Sequence, residues 1–169
     1  YYGTIGALNE VALRDGTVLD IGGGSAQLSQ VRQGRYAHGE SRTLGALALT
    51  ERFLRKDPPG DREVEALRAE VAAQLATIPW LGDQRERPLV GLGGTVRNLA
   101  KIESVRQESP LSTLHGFVLT RKAVERTIRL LGEQPLEGRQ KIPGLSPDRA
   151  DIILAGALVL LGVLEHLDL

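Results

Sequence analysis

The segment VLDIGGGSAQL, residues 18–28, places a carboxylate and three consecutive glycines between two apolar stretches. The glycines are Gly22, Gly23 and Gly24. Glycine weakens a strand and offers no side chain to bury, so these residues have a conformational use. Backbone N–H groups that point the same way form a concave anion site, and the Ser25 hydroxyl adds a donor. A phosphate matches these donors, and Asp20 could position a divalent cation or its bound water.

The residues after Ser25 limit the kinds of phosphate loop that are possible. A P-loop needs Gly-Lys-Ser/Thr followed by a helix, and a dinucleotide fingerprint needs a third spaced glycine and a helix. Here the following AQLSQV alternates like a strand. The segment therefore predicts either a β-hairpin phosphate loop or a glycine-rich turn that Asp20 merely hydrogen-bonds.

A second glycine turn lies in LVGLGGTVRNLAKI, residues 89–102. An apolar strand is followed by Gly93, Gly94 and Thr95 and then by a helix that is predicted to begin near Val96. Thr95 is the predicted N-cap of this helix, whose N-terminus attracts anions. Alone, the motif fits any tight strand-to-helix turn. Two such turns at strand ends suggest one ligand with several phosphates, held from two sides.

A third segment, residues 144–164, contains an arginine before a strongly apolar helix. Arg149 could bind phosphate through its planar guanidinium group, or it could form an ion pair with Asp148 or Asp151, which is the simpler interpretation. Two glycines inside the helix each cost about 1 kcal/mol relative to alanine, which predicts close approach of another element. They are Gly156 and Gly162.

The remaining pattern predicts strands followed by alternating helices and strands, which is typical of an α/β domain with a mixed sheet. Strands are predicted over 17–21, 26–33 and 35–43, with a tight turn at Gly34. Helices are predicted over 1–13, 46–55, 61–78, 121–131 and 152–167, with Asp61 and Thr120 as caps of the third and fourth. A short strand is predicted over 88–92, a polar loop over 103–116, and Pro147 begins a first turn before the last helix.

Size and composition limit the classes of function. The chain has 169 residues, enough for one domain with a real core, and 21 basic residues balance 21 acidic ones. This balance gives no reason to expect binding to nucleic acid or to a membrane surface. The absence of cysteine fits a cytoplasmic protein. The longest apolar run, 152–167, is shorter than the roughly 20 residues that span a bilayer.

Four segments together resemble the exopolyphosphatase / guanosine pentaphosphate phosphohydrolase (Ppx/GppA) family. They are VLDIGGGSAQL, LGALALTERFL, GLGGT and GLSPDRADIILAGALVLLGVL, in the family's order. The resemblance implies a ribonuclease-H-like α/β fold, shared with actin and sugar kinases, in which helices flank a mixed sheet with an antiparallel three-strand meander. It also implies that residues 1–169 are the second of two domains, that the active site lies between the domains, and that the first domain is absent from this chain.

The resemblance also implies roles for individual residues. Asp20 would act at a magnesium ion and the attacking water, residues 22–25 would form the second phosphate loop, and residues 93–95 match a loop that meets nucleotide in actin-like relatives. The glutamate thought to activate the water lies in an acidic stretch before the equivalent of Tyr1. This chain has Ala26 and Gln27 where the family usually has Thr-Glu. Gln27, the second catalytic candidate, keeps the shape of that glutamate and loses its charge.

These implications leave three hypotheses for function. The first is a domain of a phosphohydrolase that removes the terminal phosphate from polyphosphate or from guanosine penta- or tetraphosphate, with Mg²⁺ as cofactor and without activity on its own. The second is a degenerate member that binds such ligands, or a partner protein, without turnover. The third is a sugar or acetate kinase of the same superfold. An interdomain face without its first domain could also allow a homodimer through exposed apolar surface.

Overall fold

The computed structural model describes residues 13–108 and 114–169, and the helix predicted over 1–13 lies almost wholly outside them. Within these ranges there are four strands: β1 (Gly16–Ile21), β2 (Ala26–Arg32), β3 (Arg35–Arg42) and β4 (Leu89–Leu92). The helices are α1 (Ala46–Phe53), α2 (Asp61–Ala76), α3 (Gly93–Arg106), α4 (Arg121–Gly132), α5 (Leu136–Arg139) and α6 (Ile153–His166). Short 3₁₀ helices cover Leu81–Gln84 and Pro147–Arg149. No helix in this described part is long and apolar enough to cross a membrane.

The four strands form one mixed sheet in the order β3-β2-β1-β4. The pairs β1–β2 and β2–β3 are antiparallel, so the predicted meander is confirmed, and β1 pairs with β4 in parallel. Because the carboxyl ends of parallel strands meet at the same edge of a sheet, the segments that follow β1 and β4 lie side by side. Those segments are the two glycine turns predicted from the sequence.

The core is built around α6, which packs against α1, α2, α3 and α4. Nearly all of its residues are buried because the helix is apolar on every side, as in an interior helix. A Cβ atom at Gly156 would overlap the Thr95 methyl group, and one at Gly162 would lie 2.5 Å from Val71 Cγ1. Both glycines therefore permit the close approach that was predicted. A smaller apolar cluster, Leu13, Val18 and Val31, covers the other face of the sheet.

Of the three predicted helix caps, Thr120 is confirmed, whereas Asp61 and Thr95 are wrong. The N-cap of α2 is Gly60, and Asp61 is the first helical residue. The Glu63 carboxylate accepts hydrogen bonds from Gly60 N–H (2.9 Å) and Arg55 N–H (3.0 Å), so a glutamate in the first turn satisfies the preceding backbone. Thr120 does cap α4, because its hydroxyl oxygen accepts a hydrogen bond from Ala123 N–H (3.2 Å).

Helix α3 is longer at both ends than predicted. Its N-cap is Leu92 and its first residue is Gly93, so the predicted start near Val96 and the predicted N-cap at Thr95 are wrong. Its C-terminal end runs into the predicted loop because Glu103 is buried and ion-paired. Arg106 and Arg126 both donate to the Glu103 carboxylate, at 2.7 and 3.0 Å. Charge pairing lets a polar residue occupy the inner face of the helix there.

Candidate phosphate-binding site

The loop at residues 22–25, called the glycine loop below, connects β1 to β2 and is closed by a hydrogen bond from Gly22 N–H to Ser25 O (2.9 Å). Its carbonyl groups face the start of α1. Ala46 N–H donates to Gly22 O (2.9 Å), and Leu47 N–H and Ala48 N–H donate to Gly23 O (3.0 and 3.1 Å). Within the part of the chain that the structure describes, the N–H groups of residues 23–25 find no acceptor. They are the donors available to an anion.

Gly45, the N-cap of α1, keeps the glycine loop against the helix. A Cβ atom at this buried position would overlap Gly23 O, the Gly24 carbonyl carbon and Ser25 N. No side chain other than hydrogen fits there. The sequence reasoning missed this residue, although a glycine directly before a predicted helix was visible in LGALALTERFL.

Asp20 lies between the two glycine turns. Gly93 has φ +85°, a conformation that favours glycine, and a Cβ atom there would lie 2.5 Å from Asp20 Oδ1. The Asp20 side chain is half-buried, and among residues 13–108 and 114–169 it has no hydrogen-bond or ion-pair partner. The structure therefore brings an unpaired carboxylate to the point where the glycine loop and the turn at residues 93–95 meet.

Gln27 lies directly opposite Asp20 in the β1–β2 pair. Directly opposed residues of antiparallel strands project from the same face with Cβ atoms about 4.5–5.5 Å apart, so the Gln27 amide lies within reach of the Asp20 carboxylate. Gln27 is exposed. The two residues proposed as catalytic from the sequence thus share one face of the sheet, with one charge between them.

Thr95 has a different environment from the other predicted phosphate-binding residues. It is 5% exposed, its hydroxyl donates to Ile21 O at a long 3.4 Å, and its methyl group packs against Gly156. The side chain therefore connects α3 to the last residue of β1. Only the backbone N–H groups at the start of α3 remain for a ligand, beside the positive end of the helix dipole.

Arg149 reaches the second glycine turn from the third sequence segment. Its Cζ and Nη2 atoms lie 3.7 Å from the position that a Cβ atom of Gly94 would occupy. The ion pair with Asp148 is present, but the Nε–Oδ2 distance is 3.9 Å and the two side chains are 44% and 78% exposed. Such a pair contributes little, so the guanidinium group is available to an anion at Gly94.

Comparison with known proteins decides the family. The chain matches the Ppx/GppA phosphatase family over residues 1–169. It belongs to this family. It is 33% identical over 143 residues to exopolyphosphatase 1 of Mycobacterium leprae and 34% identical over 143 residues to exopolyphosphatase 1 of Mycobacterium tuberculosis. These alignments cover 83% of this chain and 42% and 41% of the relatives, so the chain spans less than half of their length.

Solved structures agree with this assignment. A structure of the Aquifex aeolicus PPX-GPPA enzyme matches with a TM-score of 0.87 and 28% identity, covering 98% of this chain and 55% of that one. The Ppx/GppA domain therefore has the actin/sugar-kinase-like fold that the sequence predicted.

The Ppx/GppA family suggests use of a divalent metal, and the side chains at the two turns can be compared with that expectation. Within the described ranges no group of three His, Asp or Glu side chains is arranged to hold a metal ion. Mg²⁺ keeps several waters and is commonly bound through one or two carboxylates together with substrate phosphates. Asp20, which has no partner within the described residues, fits this mode. The site suits a metal shared with a phosphorylated ligand better than one held by protein alone.

Proposed function

We propose that this chain is the second of two domains of a phosphohydrolase that removes the terminal phosphate from inorganic polyphosphate or from guanosine penta- or tetraphosphate. The observation that carries the proposal is the meeting of two glycine turns at Asp20, with three N–H groups of the glycine loop unpaired among the described residues. The alignments cover 42% and 41% of the two exopolyphosphatases, which supports a further domain in the longer protein. We expect the longer protein in the cytoplasm.

The residues of this chain would bind and orient the phosphate groups. N–H groups of residues 23–25 and of the first turn of α3 donate to phosphoryl oxygens, and Arg149 pairs with a phosphate beside Gly94. Such preorganised donors stabilise charge that develops as the terminal phosphorus is attacked in line. Asp20 accepts a hydrogen bond from a water at the outer phosphate. Mg²⁺, when bound at Asp20, would neutralise charge on the phosphoryl oxygens.

The residue that accepts the proton from the attacking water is not among these groups. The family resemblance implies a glutamate before the equivalent of Tyr1 for this role, and the first domain would supply the other side of the cleft. We therefore propose that the chain binds phosphate chains but does not hydrolyse them alone. Without its first domain, the face that carries the glycine loop and the exposed Leu47 beside it could also form a homodimer.

A second candidate function is binding without turnover, and Gln27 is the observation that favours it. A neutral amide stands opposite Asp20, so the pair carries one negative charge where the family pattern carries two. One fewer ligand charge weakens a cation site. In this case the longer protein would hold polyphosphate or a guanosine polyphosphate as a sensor or regulator.

Calorimetric titration with tripolyphosphate and Mg²⁺, combined with phosphate release from polyphosphate, tests both candidates. We expect the 169-residue chain to bind without release, the longer protein to release phosphate, and Asp20→Asn to weaken both. Asp83→Asn is the matched control, because Asp83 is exposed and lies in the 3₁₀ helix before β4, away from the glycine turns. Binding without release by the longer protein favours the second candidate. Absence of binding by both proteins refutes both.

A further inference from the structure

Asn98 is a buried polar residue one turn into α3 that connects two parts of the candidate site. It is 7% exposed. Its Nδ2 atom donates to Gly94 O (2.8 Å), and its Oδ1 atom accepts from Ser146 N–H (2.8 Å). Asparagine is a poor helix former because its side chain competes for backbone groups, so its place inside a helix calls for a particular use. Here one amide satisfies two backbone groups, and Ser146 lies 48 residues from Asn98 in sequence.

Ser146 is in turn hydrogen-bonded to the backbone of Arg149. Arg149 N–H donates to Ser146 O (2.9 Å), which begins the 3₁₀ helix Pro147–Arg149. The guanidinium group then returns to Gly94, at 3.7 Å from the Cβ position. We call this set of links the ring: three hydrogen bonds connect Gly94, Asn98, Ser146 and Arg149, and the Arg149 guanidinium group lies near Gly94. Within this ring, the Asn98 side chain supplies the hydrogen bonds that link the two backbone segments.

We infer that Asn98 is a positioning residue that holds Arg149 at the second glycine turn and so sets the affinity for phosphate chains. The inference rests on the proposed phosphate-binding function. A fixed backbone at Arg149 restricts the guanidinium group before a ligand arrives, so less conformational entropy is lost on binding. Without the Asn98 amide, the turn that carries Arg149 is no longer tied to α3.

Two substitutions remove the link in different ways. Asn98→Leu has a similar volume and removes both hydrogen bonds. Asn98→Asp keeps the acceptor for Ser146 N–H but places a carboxylate oxygen against Gly94 O, which also accepts. The new carboxylate would therefore repel the turn that the native amide attracts. Thr127→Val is the matched control, because Thr127 is a buried polar residue on α4, outside the ring.

Nuclear magnetic resonance on the 169-residue chain tests the positioning directly. The heteronuclear Overhauser effect at Arg149 Nε–H reports the order of the side chain and needs no ligand. We expect an ordered signal in the wild type and in Thr127→Val, and a clear loss of order in Asn98→Leu and Asn98→Asp. Unchanged order in both Asn98 variants overturns the inference. If Asn98→Leu fails to fold by circular dichroism, Asn98→Asp decides alone.

A double-mutant cycle on tripolyphosphate binding then tests the effect on affinity. We expect Asn98→Leu or Asn98→Asp to weaken binding about three- to tenfold when Arg149 is present, and less than about twofold in an Arg149→Ala background. Additive losses would mean that Asn98 affects binding independently of Arg149, and they overturn the inference. If the wild type does not bind tripolyphosphate, the proposed function fails, whereas the resonance measurement still decides whether Asn98 orders Arg149.

Discussion

Gly45→Ala tests whether the glycine loop depends on its contact with α1. The backbone at Gly45 has φ −73° and ψ 146°, which alanine adopts freely, so the substitution adds no strain in the backbone itself. Its only cost is steric. The new methyl group would overlap the backbone of residues 23–25 and push the glycine loop away from the helix.

The structure gives the size of the expected loss. Moving the loop breaks the hydrogen bonds that Ala46, Leu47 and Ala48 N–H groups donate to Gly22 O and Gly23 O. Each of these three bonds contributes about 0.5–1.5 kcal/mol, so we expect the free energy of unfolding to fall by about 1.5–4.5 kcal/mol. That is a large part of the roughly 5–15 kcal/mol of a typical domain.

Urea denaturation followed by circular dichroism measures this loss, and calorimetry with tripolyphosphate measures the effect on binding of the protein that remains folded. We expect binding to be about tenfold weaker or worse, since loss of one or two charge-assisted hydrogen bonds costs about 1.5–3 kcal/mol each. Gly82→Ala is the matched control, because nothing among the described residues lies within 4 Å of its Cβ position. The free energy of unfolding of Gly82→Ala should lie within about 0.5 kcal/mol of that of the wild type.

Two results would refute this reasoning. If the free energy of unfolding of Gly45→Ala lies within about 0.5 kcal/mol of the wild-type value, the glycine loop adapts without losing its hydrogen bonds to α1. If stability falls while tripolyphosphate binds as before, the N–H groups of residues 23–25 are not the donors that bind phosphate. The second outcome would count against the site itself, and the first only against its dependence on α1.

Two further predictions concern charge. Gln27→Glu in the longer protein should increase Mg²⁺-dependent release of phosphate from polyphosphate, because it restores a second carboxylate opposite Asp20. A release rate no higher than that of the wild type would favour binding without turnover. Hydrogen bonds from Arg106 and Gln107, together with the positive charges of Arg106 and Arg126, lower the pKa of the Glu103 carboxyl from 4.5 to about 2. Its stabilisation is therefore complete above pH 4.5 and lost as the pH falls toward 2. In urea titrations, Glu103→Gln should lower the free energy of unfolding by about 1–2 kcal/mol at about pH 7, allowing for screening by solvent. Near pH 2 the same substitution should change it by almost nothing. An equal loss at both pH values would contradict the role of the Glu103 charge.

Local patterns were enough to predict the four described strands and the five longer helices, but not the short α5 or the 3₁₀ helix Leu81–Gln84. Alternating residues and the turn at Gly34 predict the meander, and the glycines inside the last helix predict close packing, because each of these signals depends on residues near one another in sequence. Helix ends were harder. The start of α3 depends on Gly93 taking φ +85° beside Asp20, and Glu63 replaces Asp61 as the group that satisfies the start of α2.

The residues of the site were predicted only in part, because some of them depend on contacts between distant parts of the sequence. Asp20 and the two glycine turns carry their own local signal, and the parallel pairing of β1 with β4 brings them together. Gly45 before a helix and Asn98 inside one are unusual locally, but their roles depend on contacts with residues 23–25 and Ser146, which are about 20 or more positions away. Arg149 was ambiguous because its sequence neighbours are acidic, whereas its spatial neighbour is Gly94.

The orientation of the glycine loop on α1 has an electrical consequence. Each peptide group carries a dipole of about 3.5 D, and those of α1 sum to a partial positive charge at its N-terminus. That end of the helix faces the carbonyl oxygens of Gly22 and Gly23 and not open solvent. Hydrogen bonds in a chain polarise one another, so electron density in these peptide groups is drawn toward the helix and their N–H groups become more positive. The loop thus transmits the field of α1 by one further layer of peptide groups, and an anion can experience that field without touching the helix.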